Sequence, residues 1–199
     1  MVAGAAAEIL AWRVVAVGRR SVWAVMGVAL PVIGAVSAAV RPPVSVVGVD
    51  RAEAATAGVA TGLALYAATR GFLAATRGWG TFARHTRETY RPRGQLPHAV
   101  LLPLALLAVV GEELFWRGLF QARLTVEAGA GGGAVLTWFA FVGANAASGS
   151  WPILAGAIVG GALWAGLAAW SGGVLASIAC HGVWTLLMLA FPPAEGRER

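Results

Sequence analysis

Long apolar runs separated by short clusters of charge constrain this chain more than any other feature. No Asp, Glu or Arg interrupts the runs 22–40, 101–111, 134–150, 152–170 and 172–191. Only 12% of the residues are charged, whereas about a quarter are charged in a soluble domain. A helix of about 20 apolar residues crosses the hydrocarbon core of a bilayer. The sequence therefore predicts an all-α integral membrane protein.

We predict a single membrane domain, 1–199, with about six transmembrane helices in a bundle. Residues 1–20 are apolar but are broken by charge, which favours an amphipathic helix lying in the membrane interface. The charged residues are Glu8, Arg13, Arg19 and Arg20. The spans are predicted at 22–40, 54–69, 98–124, 134–150, 152–170 and 172–191, with a glycine-rich break at 129–133.

Arginines cluster in the polar connection 70–97, which we predict to be a loop. They are Arg70, Arg77, Arg84, Arg87, Arg91 and Arg93. By the positive-inside rule this connection is cytoplasmic. Two preceding spans then place the N-terminus inside, and six spans return the polar tail 192–199, with Arg197 and Arg199, to the same side. We therefore expect a multi-pass protein of the cell membrane with both termini in the cytoplasm.

The net charge of +6 comes from arginines beside apolar segments. Anionic lipid headgroups are therefore the expected partner of these arginines, and nucleic acid is not. Cys180 is the only cysteine. It excludes an internal disulfide and any metal site built from several cysteines.

Two adjacent carboxylates, Glu112 and Glu113, follow the run 101–111 and lie near the middle of the third predicted span. An ionisable side chain at this depth costs about 3 kcal/mol or more and marks a functional site by default. Glu113 precedes Arg117 by four residues on the same helical face, so we expect the two to pair. Glu112 points about 100° away around the helix and has no such partner. An unpaired buried carboxylate is a candidate general base or metal ligand.

Polar side chains also interrupt two later spans. Asn145 lies near the middle of the fourth predicted span, and His181 lies about nine residues into the sixth, with Thr185 one turn further on the same face. Alone, each is explained by a hydrogen bond between or within helices. Together, Glu112, Asn145 and His181 fall at one depth, which favours a shared, water-containing cavity.

At these positions the chain resembles the CAAX-processing and bacteriocin-immunity (CPBP) family of intramembrane proteases. The family's EExxxR motif matches residues 111–118, Gly-Glu-Glu-Leu-Phe-Trp-Arg-Gly. Its FxxxH motif falls at 141–145 and its HxxxN motif at 181–185, in the family's order. The resemblance extends from about residue 98 to residue 191, roughly half of the chain.

The resemblance implies a membrane-embedded helical bundle with a conical cavity, in which a glutamate and a histidine activate water while a second histidine and an asparagine stabilise the oxyanion. Carried over to this sequence, it implies that Glu112 is the catalytic base, that Glu113 and Arg117 support it, and that His181 is an oxyanion-side donor. It also divides the chain into N-terminal spans with a basic loop (1–97), a protease-like core (98–191) and the polar tail (192–199).

Two positions depart from the family pattern, since Asn145 replaces the motif histidine and Thr185 replaces the motif asparagine. An amide cannot exchange a proton at neutral pH, so Asn145 can hold water or a carbonyl but cannot share the base's task. Thr185 keeps a hydroxyl donor. Asparagine is also a poor substitute for a zinc-binding histidine, so we expect a metal-free glutamate mechanism without a cofactor.

The sequence leaves several functions open. The first is an intramembrane endopeptidase acting on a peptide or protein substrate, and the second is a non-catalytic scaffold or immunity protein with the same fold. A transporter or channel using the glutamate pair is less favoured, because the chain has no inverted repeat. A serine mechanism with Ser177 and His181 lacks an orienting acid nearby in the sequence.

Overall fold

The computed structural model describes residues 1–18, 20–45, 47–90 and 96–192. Parts of the basic connection and of the tail lie outside these residues, and so do several predicted arginines: Arg19, Arg91, Arg93, Arg197 and Arg199. The described residues form α-helices and one π-helical segment, which confirms the predicted all-α class. In chain order the elements are α1 (Val2–Ala16), α2 (Val22–Val40), α3 (Arg51–Ala75), α4 (Gly80–Tyr90), α5 (His98–Glu113), π1 (Leu114–Gln121), α6 (Ala122–Ala146), α7 (Trp151–Ser171) and α8 (Leu175–Ala190).

Three helical stretches of the described residues are long and apolar enough to cross a membrane. They are Val22–Val40, His98–Ala146 and Trp151–Ser171, and Leu175–Ala190 is a shorter apolar helix. The first has the predicted bounds. The predicted second span, 54–69, lies within the longer α3, which is not among these stretches. The chain is therefore a helical membrane protein.

The predicted loop at 70–97 is largely helical in the structure. α3 continues through Arg70 to Ala75, and α4 occupies Gly80–Tyr90. The loop prediction was therefore wrong for these residues. Arginine is a good helix former, and its long side chain keeps its charge in water while the helix packs.

The stretch His98–Ala146 reverses direction at Gly129, as the glycine-rich break predicts. Gly129 has φ 72° and ψ 171°, a backbone conformation that glycine adopts readily. A Cβ on Gly133 would lie 2.7 Å from the backbone nitrogen of Thr125. In a continuous helix, residues eight positions apart are separated by about 12 Å. The chain thus folds back on itself and places the second half of α6 beside π1.

Glycines let α2 approach α5 at the level of the glutamate pair. A Cβ on Gly34 would collide with the Cα and carbonyl oxygen of Gly111, and one on Gly111 would collide with the carbonyl oxygen of Leu30. The two backbones therefore touch directly before Glu112. Close approach of this kind is how small residues hold membrane helices together.

A similar contact joins α3 to α8. A Cβ on Gly58 would lie 2.5 Å from the carbonyl oxygen of Ala176, and one on Gly62 would lie 2.7 Å from that of Cys180. The carbonyl of Cys180 directly precedes His181. This packing therefore fixes the height of His181 in the bundle.

The bundle has two distinct ends. α4 lies at one of them, beside the start of α7, where the backbone nitrogen of Trp151 is 3.5 Å from His85 Nδ1. At the other end the 41–50 connection contacts the end of α7, because Val47 N–H donates to the carbonyl of Ser171 at 2.9 Å. The basic α4 and the 41–50 connection are therefore on opposite sides of the protein.

α1, which the sequence predicts to be an interfacial helix, packs against the bundle. Glu8, Ala11 and Trp12 are its buried residues, and this spacing places them on one face. A Cβ on Gly4 would collide with the ring of Phe115 in π1. The N-terminal helix is thus in direct contact with the segment that follows the glutamate pair.

Candidate active site

The glutamate pair lies where an α-helix changes into a π-helix. α5 ends at Glu113, and the eight-residue segment π1 follows it. π-helical turns are rare and occur often at functional sites. Trp116 in this segment is fully buried, and its ring contacts that of Phe141 in α6 at a centroid distance of 5.5 Å. The aromatic packing fixes the backbone directly after the two carboxylates.

Glu113 is the centre of a buried polar network. Its Oε1 atom lies 3.2 Å from Arg117 NH1 and 2.9 Å from His181 Nδ1. Glu113 is 0% exposed and Arg117 is 3% exposed. The structure thus contains the predicted pair with Arg117, and it adds a bond to His181 that the sequence did not indicate.

Arg117 is held in place by contacts with α6 and α7. Its NH2 group donates to the carbonyl of Gly161 in α7 at 3.2 Å. Its guanidinium carbon lies 4.7 Å from the ring centre of Phe141 and 5.6 Å from that of Trp164. Such cation–π contacts are strongest where water is excluded. Arg117 therefore acts as a fixed positive charge beneath Glu113.

His181 contacts both carboxylates, one with each ring nitrogen. Its Nε2 atom lies 3.8 Å from Glu112 Oε2, while Nδ1 is bonded to Glu113. The imidazole also stacks on Trp164 with a centroid distance of 3.6 Å and an interplanar angle of 14°. Since a carboxylate paired with arginine only accepts hydrogen bonds, we assign the proton of neutral His181 to Nδ1. The lone pair on Nε2 then faces Glu112.

Glu112 faces a cavity of about 500 Å³ that opens between the helices. Its wall is mainly apolar, and the polar side chains in it include those of Glu112, Asn145, His181 and Thr185. Glu113 and Arg117 are not part of this wall. The structure therefore separates a carboxylate that a ligand can reach from one that is enclosed.

Asn145 lies at this cavity but not in the middle of a helix. α6 ends at Ala146, so the prediction that Asn145 lies near the middle of the fourth span was wrong. Asn145 and Glu112 nonetheless lie at a similar depth in the bundle, as predicted. Glu112 is 17 residues before the turn at Gly129, and Asn145 is 16 residues after it. Asn145 is 4% exposed, and its amide donates to the carbonyl of Phe141 at 3.0 Å.

Ser177 is buried one turn before His181. Its hydroxyl donates to the carbonyl of Val174 at 3.0 Å, as serines in helices often do. The hydroxyl hydrogen of Ser177 is therefore taken up by a backbone carbonyl, although Glu113 gives His181 the orienting acid that the sequence did not show. Within the described ranges there is also no group of three or more His, Cys, Asp or Glu side chains placed to hold a metal ion.

Glu8 is the residue near this site that sequence reasoning missed. Its Oε2 atom accepts a hydrogen bond of 2.7 Å from Trp116 Nε1, and its side chain is 0% exposed. From the sequence alone we interpreted Glu8 only as an interruption of an apolar helix. The sequence did contain a signal for Glu8, because a lone carboxylate among apolar residues in a membrane protein is itself a functional-site candidate.

One comparison identifies the part of the chain that builds this site. Residues 94–187 match the family model described as type II CAAX prenyl endopeptidase Rce1-like. The chain is similar to that family over this segment, which is slightly less than half of its length. The Rce1-like segment includes Glu112, Glu113, Arg117, Asn145, His181 and Thr185, whereas α1 and Glu8 lie before it. No curated protein and no solved structure matches the chain.

Proposed function

We propose that this protein is an intramembrane glutamic-type endopeptidase of the cell membrane, with Glu112 as the base that activates water. The observation that carries the proposal is the position of His181, which bonds to enclosed Glu113 and lies 3.8 Å from cavity-lining Glu112. A carboxylate and an imidazole are thereby held together at the wall of a ligand-sized cavity. The Rce1-like match supports a protease reaction.

The reaction begins when the Glu112 carboxylate takes a proton from water in the cavity. The resulting hydroxide adds to the carbonyl carbon of the scissile peptide, and the carbonyl oxygen becomes an oxyanion. Asn145 has an amide hydrogen beyond the one bonded to Phe141, and Thr185 has a hydroxyl, so both are candidate donors to that oxygen. Glu112 then gives its proton to the amide nitrogen as the carbon–nitrogen bond breaks. The products are a carboxylic acid and an amine.

The imidazole of His181 is kept in place during these steps by Glu113, Arg117 and Trp164. Arg117 keeps Glu113 charged, and Glu113 fixes the tautomer and orientation of His181. The stacking on Trp164 prevents rotation of the ring. In this arrangement His181 Nε2 is a second acceptor for the proton that Glu112 removes.

The test is Glu112→Gln in the full chain reconstituted into lipid vesicles. The probe is a quenched fluorogenic peptide ending in a prenylated CAAX sequence, together with its unprenylated twin and an unrelated membrane-anchored peptide. We expect cleavage by the wild type and a loss of at least about 10²-fold in the variant, as for removal of a general base. Exposed Glu88 provides the control, and Glu88→Gln should cleave at the wild-type rate. Equal cleavage by Glu112→Gln would sink the proposal.

A second candidate is a non-catalytic protein that binds a peptide or a membrane helix in the same cavity. Asn145 favours it, since an amide bonded to its own helix stands where the family pattern has a proton-exchanging histidine. In that case the wild type binds the peptides without cleaving them, and Glu112→Gln binds equally well.

Asn145→His separates the two candidates. For a working protease, a histidine at the cavity wall adds an acid–base group and should raise kcat, by up to about 10²-fold. For a protein that has lost turnover, the same change should create cleavage where the wild type shows none. Peptide-cleavage kinetics beside a binding titration distinguish these results, and an unchanged rate in an active protein would argue against any acid–base role at position 145.

A further inference from the structure

Three residues spaced four apart lie along one side of α1, which precedes the Rce1-like segment. They are Gly4, Glu8 and Trp12. A Cβ on Gly4 would collide with the ring of Phe115, and Glu8 Oε2 accepts the 2.7 Å hydrogen bond from Trp116 Nε1. The first two residues therefore attach α1 to π1, and this attachment fixes the position of Trp12.

The indole ring of Trp12 lines the cavity that Glu112 faces. Trp12 is 8% exposed and belongs to an apolar cluster with Met26 and Leu30 of α2. Ala108 also packs against this cluster, and it lies one helical turn before Glu112 on the same face of α5. The ring is thus part of the cavity wall on the side of the candidate base.

Two parts of the chain build this cavity. Glu112, Asn145 and His181 belong to the Rce1-like segment. The preceding part supplies mainly apolar side chains, and four of them are aromatic: Trp12, Trp23, Phe72 and Phe82. Among these four, Trp12 is on the helix that is hydrogen-bonded to π1. Apolar side chains that meet a ligand without reacting with it select the ligand by size and shape.

We propose that Trp12 is a specificity-determining residue, which limits the size of the apolar side chain that a bound peptide places in the cavity, and that Glu8 positions it through Trp116. A ring in a closely packed cluster cannot move aside for a larger group without disturbing its neighbours. The inference rests on the proposed function only in so far as a peptide binds in this cavity, which the non-catalytic alternative shares.

The test is a binding titration of the full chain in lipid vesicles, with Glu112→Gln so that the peptide is not cleaved. The probes are two forms of one fluorescent membrane-anchored peptide, alkylated on a single cysteine with a benzyl or a larger naphthylmethyl group. With Trp12 present we expect the benzyl form to bind more tightly. Trp12→Ala opens a space about the size of an indole ring, so the ratio of the two Kd values should shift toward the naphthylmethyl form by about tenfold or more.

Trp170→Ala is the matched control for Trp12→Ala. Trp170 is 44% exposed and is not part of the cavity wall, so the ratio should not change. The proposal is overturned if Trp12→Ala changes both affinities by the same factor or changes neither, or if neither peptide binds when Trp12 is present. Trp12→Phe keeps an aromatic ring and should give a smaller shift in the same direction, which decides the question if Trp12→Ala does not fold.

The positioning role of Glu8 is tested in the same titration. Glu8→Gln keeps an oxygen that accepts from Trp116 Nε1 and should keep the ratio found with Glu8. Glu8→Leu removes that acceptor and should shift the ratio toward the naphthylmethyl form. A merely structural role would lower the amount of folded protein and leave the ratio unchanged, and that result would exclude positioning. If Glu8→Leu does not fold, Trp116→Phe removes the donor of the same bond and replaces it.

Cleavage assays with Glu112 present separate this inference from the proposed function. A shifted binding ratio without cleavage by the wild type would keep Trp12 as the size determinant and remove the protease. Cleavage of both peptides with the same ratio of kcat/KM values in the wild type and in Trp12→Ala would keep the protease and overturn the role of Trp12.

Discussion

Two neighbouring glutamates of the same span occupy opposite sides of one ring. Glu113 is enclosed, pairs with Arg117 and bonds to His181 Nδ1, whereas Glu112 lines the cavity 3.8 Å from His181 Nε2. Identical side chains thus acquire different chemistry because the helix turns them in different directions. One carboxylate holds the histidine, and the other faces the cavity.

This difference predicts that one of two equally small changes lowers the stability of the protein and that the other leaves it nearly unchanged. Glu113→Gln removes the charge that balances buried Arg117, and breaking one side of a buried pair costs about 3–5 kcal/mol. Glu112→Gln removes a carboxylate without breaking an ion pair of that kind, so it should unfold at about the wild-type temperature. Thermal unfolding of both variants in the same detergent measures the contrast. Equal unfolding temperatures would show that Glu113 does not stabilise the fold.

At the residue scale, a contact could be predicted from the sequence where the spacing of two residues along one helix determines it. Glu113 and Arg117 are four apart on a helix, so their pairing follows from local geometry. The bond between Glu113 and His181 joins residues 68 positions apart. It could not be predicted, because it depends on how α8 docks against α5. Glu8 and Trp116 are 108 positions apart, and the same reason applies to them.

At the element scale, direct backbone contact between α2 and α5 supports the glutamate pair. Gly34 faces Gly111, and the residue after Gly111 is Glu112. We expect Gly34→Ala to force the helices apart, since the new methyl group meets backbone atoms that cannot rotate away. Overpacking of this kind costs about 1–3 kcal/mol, and here it should also reduce cleavage because it displaces Glu112. Unfolding temperature and cleavage rate together measure the effect.

Gly27 provides the matched control in the same interface. A Cβ on Gly27 would lie 2.9 Å from Leu104 Cδ1, the flexible end of a side chain that can change its rotamer. Gly27→Ala should therefore be nearly neutral, with the usual gain in helix propensity. If Gly27→Ala were as damaging as Gly34→Ala, close approach at Gly111 would not be the cause.

Some elements were predictable because a single residue type determines them. The first span lacks charge, and Gly129 breaks its helix where the glycine-rich sequence indicates. π1 could not be foreseen, because residues 114–121 can satisfy their backbone groups in an α-helix as well. In the structure, Trp116 and Phe115 in this segment pack between α1 and α6. Tertiary contacts of this kind leave no local pattern in the sequence.

At the scale of the whole molecule, the basic helix α4 and the Gly129 turn lie at opposite ends of the helical bundle. α4 and its arginines lie at the end where α7 begins, and the Gly129 turn lies at the other end. A second cavity of about 250 Å³ there is lined by Ala122, Ala130 and Gly172, which places that turn beside the end of α7. From the positive-inside rule we predict that the α4 end is cytoplasmic and that the Gly129 turn lies on the outer face.

This orientation can be measured by cysteine labelling with a membrane-impermeant maleimide. Native Cys180 is buried and gives little background. Glu88 in α4 and Glu127 before the Gly129 turn are both exposed. In intact cells we expect Glu127→Cys to be labelled and Glu88→Cys to be protected until the membrane is permeabilised. Labelling of both from outside would show that the chain does not span the membrane between them. The reversed pattern would place the cavity beside Glu112, which α4 helps to line through Phe82 and Thr86, toward the outer face.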